Sequence, residues 1–474
     1  MGTFGGRVPT YADFVQAVRA YAPSHLIQFL ARYAADRGGW DVELRPGMRP
    51  PWAVAAMVRD CIVSGNESRS GQLSEARLRR LFNIFGEAHD ERGDTAQAIL
   101  TPIIYEQFPY QQSDYEELLR SIALFEDPYP GCRNWPWDEL LGSSVTDLIS
   151  LAFLVHTVVM NKRGEYKVTP AFQQVVDMLE YTDQLPKMVD GLTRTVPQLK
   201  TASKEVSSGD PANRRFSYNP LVRTPLVETA DGLFAPVPEL IYSSVSPSVL
   251  YHRARDAWGD AFSRDLGQRV QQYVGRQLQL LSPDLTILPE IEYRKGQLSA
   301  DWFAVNDDLL LVVECKASRA SLEARLGSQA LDDQFKRDIS KAKGQIERTA
   351  SLVAAGDSAL SQMLGRRQVI GLIVTAEPFY LLAQAHSSEL IAGIPTLLGS
   401  LRDLEHWTTL PAGEAVRQLT SIATDPERRT WPLGNALDVP PNSTTHNSIL
   451  ESVWERLPLA KRRAGDLFTN GPSL

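Results

Sequence analysis

The sequence contains few cysteines, and their placement signals neither a disulfide framework nor a thiolate metal site. Its 474 residues include three of them, Cys61, Cys132 and Cys315. They lie far apart, their number is odd and no C-x-x-C pair occurs, whereas disulfide scaffolds and zinc sites need paired, closely spaced cysteines. We expect Cys315 to be a small buried hydrophobic residue.

Long apolar runs are also missing, and no secretory leader is expected. The most apolar stretch, residues 148–160, contains His156 and is shorter than the roughly 20 residues that cross a bilayer. Residues 1–14 carry no apolar segment of the kind found in signal peptides. The sequence therefore predicts a cytoplasmic protein without a membrane partner, in which residues 148–160 form a buried helix.

Several catalytic motifs are absent as well. There is no G-x-x-x-x-G-K-[ST] loop, so the sequence predicts no ATPase motor, and neither H-E-x-x-H nor G-x-S-x-G occurs. The seven histidines show no metal-ligand spacing. These absences argue against zinc proteases and serine hydrolases.

An overall basic charge is lacking too. The net charge is −8, which argues against a wholly basic nucleic-acid binder, but residues 251–375 hold 17 basic against 16 acidic residues. The basic side chains at positions 336, 337, 341, 343 and 348 form a cluster that can follow a phosphate backbone. The alternative is a solvated helix face with ion pairs.

The pattern of apolar residues predicts more than one domain. Residues 1–205 are expected to form a helical domain. Its clearest helices are predicted at residues 11–21, 51–63, 75–89, 114–125 and 138–160. A polar stretch at residues 200–214 has the composition of a linker, so few contacts are expected to cross it and a fragment that begins near Arg215 is expected to fold alone.

The remaining residues predict a β-rich connecting segment, an α/β domain and a C-terminal extension, at residues 215–250, 251–410 and 411–474. The α/β domain is expected to have a long helix at residues 256–281 before its strands and another at about residues 331–355 after them, followed by a strand at residues 368–375. The fold class is thus a multidomain α+β or α/β protein. Its N-terminal half is mostly helical, and its C-terminal half holds a mixed β-sheet flanked by helices.

Three predicted strands bring acidic and basic side chains together. They span residues 285–293, 298–305 and 309–316, with tight turns between them. Side chains alternate along a strand, so Glu314 and Lys316 share one face while Cys315 points to the other. Asp301 belongs to the neighbouring strand and can reach the same edge. Two carboxylates beside a lysine suit a hard cation with a water-activating group next to it.

This arrangement resembles the PD-(D/E)xK nuclease superfamily, which has the restriction-endonuclease-like fold. The resemblance covers residues 257–407 and implies that Asp301 and Glu314 bind Mg²⁺, for which Mn²⁺ can substitute. It also implies that the backbone carbonyl of Cys315 completes the metal shell. Lys316 would orient or deprotonate the attacking water and stabilise charge on the phosphate. Gln345, on the following helix, would lie near the site, with Thr349 where some relatives have tyrosine.

Two features depart from the family pattern. Ser299 and Ala300 precede the acid, where a proline is usual. Gln271 occupies the position on the first helix where many relatives have a glutamate that supports the metal. Either Glu290 or Glu292 on the first strand can compensate for the missing charge.

Three functions are compatible with these sequence features. The first is a metal-dependent endonuclease that hydrolyses phosphodiester bonds, with DNA as the expected partner, in defence against foreign DNA or in repair. Its helical half would choose the target, bind a protein partner or form a homodimer. The second is a catalytically inactive nuclease-like fold that binds nucleic acid or protein. The third is a scaffold protein whose helical half does the work.

Overall fold

The computed structural model describes residues 7–42, 47–88, 96–111, 114–205, 211–319, 325, 333, 336–365, 367–380, 387–438 and 446–461. Helices occupy most of the N-terminal half. They are α1 (Tyr11–Val18), α2 (Pro23–Arg37), α3 (Pro51–Ser64), α4 (Glu75–Glu87), α5 (Ala96–Gln107), α6 (Asp114–Phe125), α7 (Trp137–Leu141), α8 (Val145–Asn161), α9 (Pro170–Met178), α10 (Gln184–Leu192) and α11 (Val196–Glu205).

The later helices are α12 (Leu240–Ser243), α13 (Pro247–Leu278), α14 (Lys341–Ala354), α15 (Ser387–Ile391), α16 (Leu401–Trp407), α17 (Ala412–Thr424), α18 (Leu433–Ala436), α19 (Ser448–Trp454) and α20 (Pro458–Lys461). The strands are β1 (Thr193–Thr195), β2 (Leu226–Thr229), β3 (Gly232–Phe234), β4 (Thr286–Pro289), β5 (Glu292–Arg294), β6 (Gln297–Leu298), β7 (Trp302–Val305), β8 (Leu309–Lys316), β9 (Gln368–Thr375) and β10 (Thr396–Ser400). The predicted class is confirmed: the chain is a mixed α/β protein with a mostly helical N-terminal half.

A five-stranded mixed sheet forms the centre of the C-terminal half. Its order is β10-β9-β8-β7-β4, with β8, β9 and β10 parallel and β7 and β4 antiparallel to their neighbours. The central strand β8 is buried along almost its whole length, which explains why its sequence is apolar on both faces.

Two helices cover the two faces of this sheet. On one face, Val313 and Cys315 of β8 belong to the same core as Val270 of α13. On the other face, Val312 of β8 packs in a second core with Ile346 of α14. Because strand side chains alternate, Cys315 points toward α13, whereas Glu314 and Lys316 point toward α14.

The first two of the three strands predicted at residues 285–316 are shorter than expected. Residues 285–293 divide into β4 and β5, and residues 298–305 divide into β6 and β7. Ser299 is the cause, because its backbone N–H donates to the Ile291 carbonyl and its hydroxyl accepts from the Ile291 N–H. These bonds separate a small outer hairpin from the main sheet.

The helix before the sheet is longer than predicted, and the helix after it is shorter. Helix α13 begins at Pro247 and is broken at Gly259, whose φ of 62° is in the left-handed region that glycine tolerates. Helix α14 begins at Lys341, after a wide turn at Lys336–Ser340. Most of the predicted start of this helix, at residues 331–335, lies outside the described residues.

Close approach between α13 and β7 depends on Gly275. A Cβ atom at this position would lie 2.0 Å from the indole of Trp302, so only glycine allows the helix to lie on the ring. The indole Nε1 donates to the Gln271 carbonyl one turn earlier in the helix (2.8 Å). This contact fixes the first residue of β7 against α13, next to Asp301.

Contacts cross the predicted domain boundaries, contrary to the expectation that few would do so. One hydrophobic core contains Leu118 of α6, Val313 of β8 and Val453 of α19. Arg120 of α6 makes a two-pronged ion pair with Glu405 of α16, with N–O distances of 2.7 and 2.6 Å. The predicted linker is partly helical, since α11 runs to Glu205, and β1 pairs with β2 across it. The four-part division itself stays a prediction.

The apolar stretch predicted as a buried helix lies within α8. Residues 137–161 are long and apolar enough to span a membrane on composition alone, but 61% of the most apolar window is buried inside the structure. Val155 and Val159 have no solvent exposure. The described part of the chain therefore contains this one candidate segment, and it packs as a core helix.

Candidate active site

The carboxyl end of β8 carries Glu314 and Lys316 on the α14 face. The Lys316 Nζ donates to the Glu314 Oε1 over 2.6 Å, and the two side chains are 20% and 2% exposed, respectively. Cys315 lies between them in sequence and packs into the opposite core. The strand register thus places the lysine at the opening of the site and the thiol away from it.

Asp301 reaches the same edge from the residue before β7. The ladder between β7 and β8 begins with the pair Trp302 and Val313. Beyond it, the Asp301 Oδ2 accepts the backbone N–H of Cys315 over 2.6 Å. An aspartate therefore occupies the place where a further backbone carbonyl would otherwise continue the sheet.

The backbone carbonyl of Cys315 is directed to the Asp301 side. In a strand, the N–H and C=O of one residue point toward the same neighbour. The Ala300 N–H, which would oppose Cys315 in a longer ladder, donates instead to the Thr349 hydroxyl over 2.9 Å. The Cys315 carbonyl and the Asp301 carboxylate therefore flank the same point of the sheet edge.

Burial and like charge both oppose ionisation of Glu314. Burial and the nearby charge of Asp301 raise the pKa of Glu314 to about 7. Burial also raises the pKa of Asp301 above its usual value. The Glu314 Oε2 is buried without a hydrogen-bond partner, a costly state for a carboxylate oxygen. A bound cation would remove both penalties.

Gln345 of α14 lies in contact with the site. Its Oε1 accepts from the Lys316 Nζ over 3.0 Å, so the ammonium is held between Gln345 and Glu314. Thr349 lies one turn later and is nearly fully buried. Its hydroxyl accepts the Ala300 N–H and so fixes the backbone immediately before Asp301. The two helix residues singled out in the sequence thus lie against the lysine and the strand start.

Gln271 of α13 and Glu290 lie on the side of Asp301. The Gln271 Nε2 donates to the Glu290 Oε1 over 3.1 Å, and the charge of Glu290 helps to raise the pKa of Asp301, second to burial among the causes that raise it. Glu292 is exposed and accepts from the Gly296 N–H over 2.6 Å in the outer hairpin. Of the two glutamates considered in the sequence, Glu290 is therefore the one near the site.

The basic cluster after the core is divided between surface and interior. Lys336, Arg337, Lys341 and Arg348 are exposed. Lys343 is buried, and its Nζ donates to the Leu390 carbonyl over 2.8 Å. Lys343 therefore has a structural contact and is not available to a phosphate backbone.

Comparison with protein-family models, curated proteins and solved structures found no match to this chain. Within the described residues, no three His, Cys, Asp or Glu side chains come together as metal ligands. The site offers two carboxylates and a backbone carbonyl, and the Gln271 amide lies beside Glu290 on the Asp301 side.

Proposed function

We propose that this chain is a metal-dependent nuclease of the PD-(D/E)xK type that hydrolyses phosphodiester bonds in DNA. The observation that carries the proposal is the convergence of Asp301, Glu314 and Lys316 at one sheet edge. Defence against foreign DNA or repair, in the cytoplasm, is the setting proposed for this activity.

The donor set fits a divalent cation, Mg²⁺ or Mn²⁺. Asp301, the unpaired Oε2 of Glu314 and the Cys315 carbonyl are hard oxygen ligands of the kind these ions prefer. A cation bound there lowers the pKa of a bound water and neutralises phosphate charge.

Lys316 supplies the remaining chemistry. Its ammonium is partly exposed at the opening of the site, within hydrogen-bond reach of Glu314 and Gln345. A group held in this way can orient an attacking water and stabilise negative charge that develops on the phosphate. Gln345 acts as a positioning residue, because it contacts the ammonium.

The second candidate function is an inactive nuclease-like fold that binds nucleic acid or protein. Gln271 is the observation that favours it. Its amide is neutral and is already bonded to Glu290, so the acids that face a cation are fewer than in many relatives of the superfamily. A weaker metal site would follow, with Mn²⁺ favoured over the geometrically stricter Mg²⁺.

Metal binding and DNA cleavage by the full chain test the proposal. Calorimetry should detect Mn²⁺ or Mg²⁺ binding, and plasmid or linear DNA should be cut with either ion and not with EDTA. Asp301→Asn and Glu314→Gln should lose metal binding and cleavage together. Lys316→Ala should lower cleavage by about 100-fold or more while metal affinity stays equal or rises, because a nearby positive charge is removed.

Two exposed residues of the outer hairpin provide matched controls. Glu292→Gln and Lys295→Ala remove the same charges away from the site and should leave both measurements unchanged. Circular dichroism of each variant verifies the fold. Undiminished cutting by Lys316→Ala, or an unchanged metal isotherm in Asp301→Asn, contradicts the assignment. Metal binding without any cleavage by the wild type would support the second candidate.

A further inference from the structure

A cavity of about 550 Å³ lies between the helical half and the central sheet, and neither Asp301 nor Glu314 lines it. Trp52 of α3 and Tyr105 of α5 line it from the helical half. Glu377 and Arg402, which follow β9 and β10, line it from the sheet. It thus lies outside the carboxyl ends of parallel strands, where open α/β sheets bind their ligands.

Most charged residues of the lining are engaged with protein partners. Arg120 pairs with Glu405, as described above. Arg59 pairs with Asp60 and Arg215 with Glu106, over N–O distances of 3.1 and 2.7 Å, respectively. Glu377 is held by Arg319 and Arg325. These pairs build a rigid wall and leave little charge for a ligand.

Four other polar groups of the lining have no such partner. Among the residues that the structure describes, the Arg402 guanidinium and the Glu117 carboxyl make no side-chain hydrogen bond or ion pair. The hydroxyls of Tyr105 and Tyr218 are buried without a hydrogen-bond partner. Buried hydroxyls without partners are costly, and together with the half-buried Arg402 and Glu117 side chains around the same cavity they point to a polar ligand.

Aromatic rings form much of the remaining wall. Tyr105 and Tyr380 meet edge to face with centroids 5.2 Å apart, and Trp52 and Tyr110 lie 6.0 Å apart. Tyr380 has a φ of 30°, a strained value for a bulky residue, and such strain is concentrated at ligand sites. Rings of this kind suit a flat aromatic group.

Size and chemistry narrow the class of ligand. The volume falls within the roughly 300–1,000 Å³ of small-molecule sites and is far too small for a DNA duplex. An unpaired guanidinium favours phosphate or carboxylate. A carboxyl and two phenols can bond to the amino and ring nitrogens of a heterocycle.

We propose that this cavity binds a mononucleotide, with Arg402 at its phosphate and the aromatic side chains around its base. Glu117 and Tyr105 bond to the polar edge of the base. The site is chemically separate from the metal ligands, although the Ala376 N–H in its wall donates to the Lys316 carbonyl over 3.0 Å. A ligand in the cavity would therefore lie against a backbone segment that is hydrogen-bonded to β8.

Binding is tested with the full chain in EDTA, so that the carboxylate site does not contribute. Nucleoside mono- and triphosphates of the four bases are the probes, followed by thermal unfolding and calorimetry. At least one nucleotide should raise the melting temperature and bind with a measurable Kd. Inorganic phosphate alone and the matching nucleoside alone should each bind at least tenfold more weakly.

Variants identify the site. Arg402→Gln should weaken binding at least tenfold, and Tyr105→Phe, which keeps the ring, about threefold or more. Arg417→Gln removes an exposed guanidinium that pairs with Glu414 in the same helix, and it should bind like the wild type. Lys316→Ala should also bind like the wild type, which separates this inference from the nuclease proposal.

Two results would overturn the inference. One is a wild-type protein that none of the nucleotides stabilises. The other is nucleotide binding that stays at the wild-type Kd in both Arg402→Gln and Tyr105→Phe. If Arg402→Gln does not fold, Tyr105→Phe decides alone, because it removes one oxygen and leaves the packing of the ring intact.

Discussion

Glu314 is a carboxylate at the end of an otherwise apolar strand, with a side chain that is only 2% exposed. One of its oxygens bonds to Lys316, and the other is buried and unpaired. The fold therefore keeps a carboxylate oxygen of Glu314 without the hydrogen bonds that it would have in water. Its ionisation is expected to link metal binding, pH and stability.

In EDTA, the free energy of unfolding should fall as the pH rises from 5 to 8. The pKa of Glu314 is about 7 in the folded protein against a usual value of 4.5. Its stabilising contribution is therefore fully present below about pH 4.5 and is lost as the pH rises through 7. Glu314→Gln should lose about 2 kcal/mol less than the wild type over this interval.

Urea denaturation at both pH values, with and without Mn²⁺, measures this difference. Excess Mn²⁺ should restore the stability of the wild type at pH 8 and leave Glu314→Gln unchanged, because a ligand that binds only the folded state stabilises it. Parallel pH profiles of the two proteins in EDTA would show that Glu314 does not titrate in this range.

Single site residues were predictable where strand alternation alone decides their direction. Period-2 alternation was enough to put Glu314 and Lys316 on one face and Cys315 on the other. Alternation could not decide between Glu290 and Glu292, because the strand predicted to carry both is divided by the bonds between Ser299 and Ile291. That division depends on a tertiary hydrogen bond, which leaves no pattern in the sequence.

At the scale of elements, the contact between α13 and β7 positions the first acid. Gly275→Ala should destabilise the protein by about 1–3 kcal/mol, because the new Cβ would overlap the Trp302 indole and push β7 away from the helix. Metal affinity should fall as well, since Asp301 immediately precedes Trp302. Thermal unfolding and metal calorimetry measure the two effects.

Gly267→Ala in the same helix is the matched control. A Cβ atom there meets nothing within 4 Å, so alanine should stabilise α13 by up to about 1 kcal/mol through its better helix propensity. Equal effects of the two substitutions would mean that close packing on Trp302 does not matter.

Elements were predictable from sequence in proportion to their apolar pattern. Strands β8 and β9 have the bounds predicted for them, because each is a continuous apolar run that ends in polar residues. Helices α2 and α17 were not predicted. Helix α2 begins with a proline, which favours a helix start, but Ala22 before it supplies no side-chain cap, so the start signal was incomplete. Helix α17 was missed because its short amphipathic stretch lies in a segment that resembled a tail.

At the scale of the whole molecule, α6 and α8 share one core with the sheet, whereas α1–α4 pack in a core of their own. A fragment that starts at Arg215 should therefore fail to fold, which reverses the expectation from the polar linker. It would expose the partners of α6 and leave Glu405 buried without Arg120, a loss that costs about 3–5 kcal/mol. Far-ultraviolet circular dichroism and analytical size exclusion of the fragment test this.

The full chain should accordingly unfold in a single calorimetric transition. A soluble fragment from Arg215 with a cooperative transition of its own would restore the view of independent domains. Two well-separated transitions of the full chain would have the same meaning.

Helix α19 has a consequence for how this protein is made. Leu450 and Val453 belong to the same core as Leu118, which precedes them by more than three hundred positions. Synthesis proceeds from the N-terminus, so residue 118 leaves the ribosome tens of seconds before its packing partners at about 5–20 residues per second. The nascent helical half must wait for them with an apolar surface exposed. We expect cells to rely on chaperones during translation, and messages truncated before α19 to yield insoluble protein.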